Sequence, residues 1–397
     1  MAEGTGTREK LLIIPLVLSR GVTNLPSLVV SILLIEIGIS FNVAPGIAGQ
    51  LNTASSLLSI IFALLIGLLS VKYSHKALLI LGLLLYAFSA ASCLLAGALY
   101  IMLPLFALTG VARAMVEPMI NSLIGTHIPA ARRTSVIGYT IAGLALIYVL
   151  GSLSVAYLSS LIDWRITLLL IVTPISVLTL VLTLYLVPSI KGEVKDTSIR
   201  GLFSGYKEGL RNRSVLACLI GTAIGLSTWN VSLIYGATFV RHVFGASTAF
   251  VSQVTIFYSL SYIVGSLLAS RLAKKLGRKM LSVGTITLLA FFTLFAMNVT
   301  SIFLAVGITI LASFVAGMMI TTITSLTLDQ LPLYRGTVMS LQAAAVSMGG
   351  MVSAIVGGIV ITSIGYGAYG IIMGVIGFVG SIIFHFFSLD PLIKKPQ

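Results

Sequence analysis

Long apolar runs, separated by short polar or glycine-containing breaks, recur along the chain from residue 11 to residue 389. Each run has about 20 residues or more, the length that an α-helix needs to cross the hydrocarbon core of a bilayer. Barrel strands would instead show a weaker alternation over about ten residues. The pattern therefore predicts twelve transmembrane helices, numbered here as spans 1 to 12. Their approximate predicted bounds are 11–36, 47–70, 77–99, 101–127, 134–160, 165–188, 214–238, 248–270, 280–298, 300–327, 336–362 and 366–388.

The first apolar run is predicted to be a membrane span and not a cleaved leader. The polar stretch MAEGTGTREK precedes it, but the run is too long for a signal-peptide core and holds Arg20 in its middle. It also lacks a cleavage site of small residues. We therefore expect it to be retained as span 1.

Composition agrees with a membrane protein. Hydrophobic residues make up 58% of the chain and charged residues 9%, whereas a typical soluble domain has about 25% charged residues. The two cysteines, Cys93 and Cys218, fall in different spans, so we expect buried free thiols. No phosphate-binding glycine loop, nucleophile motif or metal-ligand spacing occurs in the sequence. We therefore expect neither a cofactor nor a metal. We expect the energy for transport to come from an ion or solute gradient.

The net charge of +14 first suggests a nucleic-acid-binding protein, but the positions of the basic residues indicate otherwise. All but four of the 24 Lys and Arg residues lie near the termini, in loops after even-numbered spans, or in a central loop. The positive-inside rule therefore predicts a multi-pass protein of the cell membrane with both termini in the cytoplasm. A nucleic-acid partner would require the charge on one soluble face. The four exceptions are Arg20, Arg113, Arg165 and Arg241.

The two halves of the chain align at one gapless offset of 203 residues. The landmark pairs include Lys72 with Lys275, Lys76 with Lys279, Pro129 with Pro332, and Arg132 with Arg335. An internal repeat of this kind is typical of transporter folds. It predicts an N-terminal six-helix bundle (1–188), a cytoplasmic linker (189–213) and a C-terminal six-helix bundle (214–397). Within the linker, GLFSGYKEGLRN could form a short amphipathic helix on the inner membrane surface, where basic residues meet anionic lipids.

Two basic loops at equivalent positions of the halves, residues 67–76 and 270–279, resemble the motif of a known family, G-x-L-a-D-R-x-G-R-K. Between spans 2 and 3 it is matched by Gly67, Leu69, Lys72 and Lys76, and between spans 8 and 9 by Leu272, Ala273, Lys275, Gly277, Arg278 and Lys279. The acidic position of the motif is Val71 in the first copy and Lys274 in the second. Both copies therefore lack the motif's usual acid. His75, in the first copy, is expected to be a loop residue.

These loops resemble those of the major facilitator superfamily of secondary transporters, as does Asp163-Trp-Arg165 at the start of span 6. The resemblance implies an all-α membrane protein with twelve transmembrane helices in two pseudo-symmetric six-helix bundles. It also implies that spans 1, 4, 7 and 10 line a central cavity, and it favours the branch of drug and small-molecule exporters. The basic loops would form a conformational latch, with the residues Gly67, Lys72, Lys76, Lys275, Gly277, Arg278 and Lys279.

Three ionisable residues fall deep inside spans of the N-terminal half. Measured along the helices, Arg20 and Glu117 lie about 15 Å from the cytoplasmic side and Arg113 about 21 Å. Charged groups facing lipid at this depth are costly, so we expect the trio to face a water-filled cavity. Because the resemblance implies that spans 1 and 4 are neighbours, Glu117 could bridge Arg20 and Arg113.

Three interpretations of this trio stay open at this point. It could be a buried ion network that only ties span 1 to span 4. Glu117 could instead carry a proton, with Arg20 and Arg113 tuning its affinity. In the third interpretation, the two arginines attract an anionic group of the substrate, for which the guanidinium geometry is well suited.

The C-terminal half offers aromatic and polar residues in place of charges. The equivalents of Arg20, Arg113 and Glu117 at the repeat offset are Ala223, Ala316 and Ile320. Small-molecule pockets combine aromatic walls with a few polar groups. Candidate substrate-binding residues are therefore Trp229, Asn230, Tyr235, Tyr258 and Tyr262, together with Arg20, Asn24, Arg113 and Asn121 from the N-terminal half. The alternative for each aromatic or amide residue is ordinary packing between helices.

The sequence thus predicts a monomeric secondary transporter that moves a small organic solute by alternating access. Proton-coupled efflux of amphipathic molecules is the first hypothesis, and small molecules, protons and membrane lipids are the expected partners. The alternative is an organic-anion transporter that uses Arg20 and Arg113 for a carboxylate or phosphate. An intramembrane enzyme would need paired catalytic groups, and the deep part of the spans holds one carboxylate, Glu117. A receptor would bind a ligand without moving it.

Overall fold

The computed structural model of the protein describes residues 2–43, 50–159, 161–189, 199–246 and 248–392. Across these ranges the regular secondary structure is helical, and twelve helical stretches are long and apolar enough to cross a membrane. The predicted all-α fold with twelve spans is therefore confirmed. Part of the predicted linker (190–198), the predicted start of span 2, and Lys394 and Lys395 lie outside the described residues.

Observed helix bounds agree with the predicted spans to within six residues, except that span 1 and span 7 are each built from several segments. Span 1 comprises Ala2–Val22, Leu25–Ile32 and Leu34–Phe41. Spans 2 to 6 are Gln50–Lys72, His75–Cys93, Leu99–His127, Ala130–Ser159 and Trp164–Leu186. The linker helix is Ile199–Arg211, and span 7 comprises Arg213–Asn230, a π-helical turn Val231–Tyr235, and Gly236–Phe244. Spans 8 to 12 are Thr248–Leu276, Arg278–Ala296, Ile302–Leu328, Arg335–Ser363 and Tyr366–Phe387, with a 3₁₀ turn Pro332–Tyr334 before span 11.

His75 corrects one expectation, because it is the first residue of span 3 and is buried, whereas the sequence suggested a loop position. Ser74 precedes it as the N-cap and accepts a hydrogen bond from the Ala77 backbone N–H. A serine cap satisfies one of the free donors of a first helical turn and fixes where the helix begins. Span 3 therefore begins two residues earlier than predicted.

Span 1 is interrupted immediately after Arg20. Pro26 lies in the first turn of the second segment, where its missing N–H leaves a carbonyl of the preceding turn without its helical partner. A different carbonyl of the last turn, that of Arg20, is satisfied by Thr23, whose backbone N–H and hydroxyl both donate to it, at 3.3 and 2.7 Å. The first segment therefore ends at Val22 and holds Arg20 in its last turn.

The residues group into two compact units. The first unit contains Met1–Pro129, Gly143–Gly205 and Leu333–Ala344, and the second contains Ala130–Ala142, Tyr206–Pro332 and Ala345–Gln397. The beginning of span 5 thus belongs to the second unit and the beginning of span 11 to the first. The predicted division into bundles 1–188 and 214–397 stays a prediction.

A helix crossing recurs in both units at the offset of the sequence repeat. In the first unit, spans 2 and 4 approach so closely that a Cβ at Gly110 would overlap the Ser55 carbonyl oxygen. In the second unit, the equivalent residue Ser313 donates its hydroxyl to the carbonyl of Tyr258, the equivalent of Ser55, at 2.6 Å. Small residues at such crossings allow membrane helices to pack closely. The crossing places Arg113, one turn beyond Gly110, beside span 2.

Candidate functional site

Span 4 is packed on nearly all sides, and its two charged residues are the exception. Between Thr109 and Gly125, Arg113 and Glu117 are the two residues that are not buried. They are four residues apart and therefore share one face of the helix. Accessible surface in the middle of span 4 is thus confined to its charged side chains.

Arg113 is held loosely by span 2. Its Nε donates to the hydroxyl of Ser59 at 3.3 Å and its Nη2 to the hydroxyl of Ser56 at 3.5 Å. Both distances are longer than is usual for an N–H···O hydrogen bond. The guanidinium is therefore oriented by span 2 but not firmly fixed.

Arg20 is buried with only part of its guanidinium paired. Its side chain is 8% exposed, and within the described residues its Nε and Nη1 atoms have no hydrogen-bond partner. A guanidinium has five N–H donors, and a buried charge without partners is costly in a membrane protein. The Arg20 side chain is therefore available to a ligand, to water or to a carboxylate that moves.

The expected bridge from Glu117 to the two arginines is not formed in this structure. Among the described ion pairs, none joins a Glu117 oxygen to Arg20 or Arg113 within 4.0 Å. Arg113 reaches across to span 2 instead of along its own helix, which accounts for the difference. Glu117 is left half-buried on the accessible face.

Tyr86 of span 3 lies among the three charges, and the sequence reasoning missed it. It is fully buried, its hydroxyl donates to the Thr23 carbonyl at 2.9 Å, and it interacts electrostatically with Arg20, Arg113 and Glu117. The predicted residues of spans 1 and 4 therefore do surround a common point. A single tyrosine inside the run LLLYAFS was the available signal, because a buried tyrosine hydroxyl requires a partner.

The two asparagines of the predicted site flank the trio. Asn24 is half-buried at the interruption of span 1, where it precedes the second segment without a side-chain capping bond. Asn121 is buried one turn beyond Glu117 on the same face of span 4. Arg113, Glu117 and Asn121 thus form one polar stripe along the helix.

In the second unit, three of the predicted substrate-binding residues come together. Trp229 and Tyr262 stack with ring centroids 6.2 Å apart and an interplanar angle of 25°. Asn230 is half-buried beside Trp229, and the π-helical turn of span 7 begins at the next residue. Such turns are frequent at functional sites. Tyr258 is half-buried one turn before Tyr262 on span 8.

Tyr235 has a different environment. Its ring packs edge-on against Tyr369 at 5.4 Å and so close to Gly357 that a Cβ there would overlap it. It belongs to an apolar cluster that includes Val231 and Phe239. Packing therefore accounts for Tyr235 without a ligand.

The second basic loop belongs to a paired charge network, here called the Asp329 network. Arg278 donates from Nη1 to Asp329 at 2.7 Å, while its Nε and Nη2 bind the two oxygens of Asp390. Arg133, at the start of span 5, also donates to Asp329. Asp329 is only 3% exposed and is neutralised by two arginines. Acids from the end of span 10 and from beyond span 12 thus replace the acid that the motif lacks.

The other predicted latch residues take different positions. Gly277 has a φ of 82°, a left-handed conformation that glycine adopts without steric cost, and it precedes Arg278 as the N-cap of span 9. The Gly67 carbonyl accepts a hydrogen bond from the Thr337 hydroxyl at 3.0 Å. Lys76 donates to the Leu184 carbonyl at 2.8 Å, and Lys279 is half-buried. Lys72 and Lys275 are exposed.

Comparisons with known proteins agree on the fold. A family model described as Major Facilitator Superfamily matches residues 16–225 and 217–397. The proton:xylose symporter XylE superposes with a TM-score of 0.79 at 16% identity, covering 97% of each chain. The E. coli fucose:proton symporter FucP gives 0.77 at 15% identity, covering 95% of this chain and 98% of that chain. The human organic anion transporter MFSD10 gives 0.76 at 14%, covering 94% and 98%. Among curated proteins there is no sequence match.

Proposed function

The chain belongs to the Major Facilitator Superfamily, and from that premise we propose that it exports small amphipathic molecules in exchange for protons, with Glu117 as the proton-carrying group. Members of this superfamily are transporters and not enzymes, and this chain is a multi-pass transporter of the secondary type. The export direction rests on analogy with the exporter branch of the superfamily.

One observation carries the proposal for Glu117. Glu117 is only half-buried in the middle of span 4, and no ion pair within 4.0 Å is formed with Arg20 or Arg113 in the described part of the chain. A carboxyl without such a pair can bind and release a proton without first breaking a salt bridge. Ionisable groups at this depth are characteristic of proton pathways in transporters.

The aromatic pair in the second unit supports an amphipathic solute. Trp229 and Tyr262 present stacked rings, and Asn230 adds a polar group beside them. Flat apolar walls with few polar groups bind aromatic or aliphatic bodies and orient them through the polar end. We assign Tyr258, with Trp229 and Tyr262, to the aromatic residues that contact the solute. We assign Asn24 and Asn121 to the polar residues around Glu117.

A second candidate function is transport of an organic anion, which is favoured by the two nitrogens of Arg20, Nε and Nη1, that have no hydrogen-bond partner among the described residues. An acidic group could take bidentate hydrogen bonds from Arg20, and Arg113 could add a second positive charge. The two functions differ in whether the solute and the proton move in opposite directions or in the same direction. An anion is repelled by the Glu117 carboxylate, so it would bind together with the proton and travel in the same direction.

Proteoliposomes loaded with the pH dye pyranine separate the two functions. The solutes are a quaternary naphthyl ammonium, naphthamide and naphthalenesulfonate, and protein-free liposomes correct for leakage. Exchange predicts that the ammonium or the amide moves protons in the opposite direction. The anion function predicts a signal from the sulfonate alone, with protons moving in the same direction, and its loss in Arg20→Gln.

The role of Glu117 is tested in the same assay. Glu117→Gln is expected to abolish solute-driven proton movement while counterflow of the solute persists. Glu36→Gln is the matched control, because Glu36 is an exposed carboxylate in the last segment of span 1. Proton movement that survives in Glu117→Gln would refute the assignment.

We further propose that the Asp329 network is the conformational latch. Arg278 ties the beginning of span 9 to the end of span 10, and Arg133 adds the beginning of span 5. Alternating access would then require these contacts to separate and form again. Lys72 and Lys275, which are exposed, would act at most through solvent.

We also propose that the protein is a monomer in the cell membrane, with both termini in the cytoplasm. The alternation of basic loops along the chain supports this orientation. Labelling of single exposed cysteines from either side of intact cells would test it, with Lys275→Cys reacting only after the membrane is made permeable.

A further inference from the structure

The linker helix, Ile199–Arg211, has two unlike faces. Gly205 and Gly209 are buried, and a Cβ at Gly205 would press on the ring of Tyr334. Ser204 also donates to the Tyr334 hydroxyl at 3.0 Å. The glycine face is therefore the side that packs against the protein.

The opposite face is exposed and combines apolar with basic side chains. Its members recur at the spacing of one helical stripe and are called here the outer stripe: Phe203, Lys207, Leu210 and Arg211. The side chains of Phe203 and Leu210 are 54% and 52% exposed. Glu208, the acid of this helix, lies to one side of the stripe. The outer stripe thus carries two positive charges and no negative one.

The helix lies close to the ends of two membrane spans, spans 7 and 11. At its C-terminal end a single residue, Asn212, separates it from span 7, and the Asn212 side chain accepts hydrogen bonds from the backbone N–H groups of Ser214 and Val215. In the middle of the helix, Ser204 contacts Tyr334, the residue that precedes span 11. The ends of spans lie at the level of the lipid headgroups. The linker helix therefore runs near the membrane surface.

We propose that the outer stripe docks on anionic phospholipid headgroups, with Phe203 and Leu210 inserted between them and Lys207 and Arg211 paired with phosphates. A helix with an apolar face flanked by basic residues is the usual form of a segment that lies in the membrane interface. Charge complementarity selects the anionic lipid, because a neutral surface would leave both cations without partners. The proposal concerns a lipid surface and does not depend on the transported solute.

Environment-sensitive fluorescence in the full-length protein tests the docking. Phe203→Cys and Leu210→Cys are labelled with the fluorophore NBD and reconstituted in phosphatidylcholine with or without phosphatidylglycerol. Both native cysteines are buried, so unmodified protein serves as the labelling control. Glu208→Cys, which is exposed beside the stripe, is the matched positional control. Quenching is measured with brominated lipid and with aqueous acrylamide.

The expected result is quenching of the labels at positions 203 and 210 by brominated lipid, and protection from acrylamide, when phosphatidylglycerol is present. The label at position 208 should show the reverse. Adding Lys207→Gln and Arg211→Gln to Phe203→Cys should lower the ratio of inserted to detached helix by roughly thirtyfold.

Three outcomes would overturn the proposal. Acrylamide quenching at position 203 in every membrane would show that the stripe faces water. Protection from acrylamide without quenching by brominated lipid would show that protein covers it. Equal lipid quenching with and without phosphatidylglycerol, unchanged by the two glutamine substitutions, would show insertion without recognition of charge.

Discussion

Two groups of charged side chains in this protein differ in whether their charges are paired. The trio of spans 1 and 4 lies deep in the predicted membrane region without an ion pair among the described residues, whereas the Asp329 network is fully paired at the ends of spans. The trio is Arg20, Arg113 and Glu117, and the network is Arg133, Arg278, Asp329 and Asp390. The contrast separates charges that hold one arrangement of helices from charges that are free to bind something.

Energetics support this separation. Two arginines and an almost fully buried aspartate stabilise each other only while all three are present, because removing one partner leaves an uncompensated buried charge. The trio has no such mutual dependence, since Arg113 binds serines and, among the described residues, two of the three guanidinium nitrogens of Arg20 have no hydrogen-bond partner. Substitutions in the two groups should therefore differ in size and in what they affect.

The largest expected effect is at the centre of the network. Asp329→Asn should destabilise the protein by about 3–5 kcal/mol, because the buried guanidinium of Arg278 and the partly buried one of Arg133 lose their shared carboxylate. Thermal unfolding in detergent measures the loss. Asp163→Asn is the matched control, since Asp163 is 48% exposed and lies 3.9 Å from Arg165. A surface pair of this kind contributes about 0–1 kcal/mol. Equal losses in the two variants would contradict a structural network.

A smaller effect is expected at the crossing that positions Arg113. Gly110→Ala should cost about 1–3 kcal/mol, because the added methyl group meets the backbone of span 2 and the helices must separate. It should also displace Arg113 from Ser59. Gly307→Ala is the control, since nothing lies within 4 Å of a Cβ at that position. If the two variants have the same unfolding midpoint, the close contact between Gly110 and span 2 is ruled out.

The smallest effect on stability is expected at Glu117. Glu117→Gln should change the free energy of unfolding by less than about 1 kcal/mol, because no ion pair is lost. The same unfolding assay measures it beside Asp329→Asn. A loss as large as that of Asp329→Asn would instead support the interpretation in which the trio only ties span 1 to span 4.

The sequence predicted the helices better than their interruptions. Twelve apolar runs were long enough to be recognised, and the repeat offset located equivalent crossings. The interruption of span 1 was missed although Pro26 was visible, because an apolar run continues on both sides of it. His75 was assigned to a loop because the start of span 3 was placed where the polar residues end. The N-cap Ser74, which marks the true start, was not considered.

Site residues were predicted where a charge stood out from an apolar background, and missed where the partner was distant. Arg20, Arg113 and Glu117 were singled out on that basis, but the direction of the Arg113 side chain depends on serines of another span. Tyr86 and Asp390 had no local signal of comparable strength. Asp390 meets Arg278 only because the chain folds back over more than a hundred residues.

The interruption of span 1 has a mechanical consequence. Two residues, Thr23 and Asn24, join the Ala2–Val22 and Leu25–Ile32 segments, so the span behaves as two short rods with a hinge between them. Span 3 holds this joint itself, because the Tyr86 hydroxyl donates to the Thr23 carbonyl. The direction of the far rod is thereby set separately from that of the near rod, which carries Arg20 in its last turn.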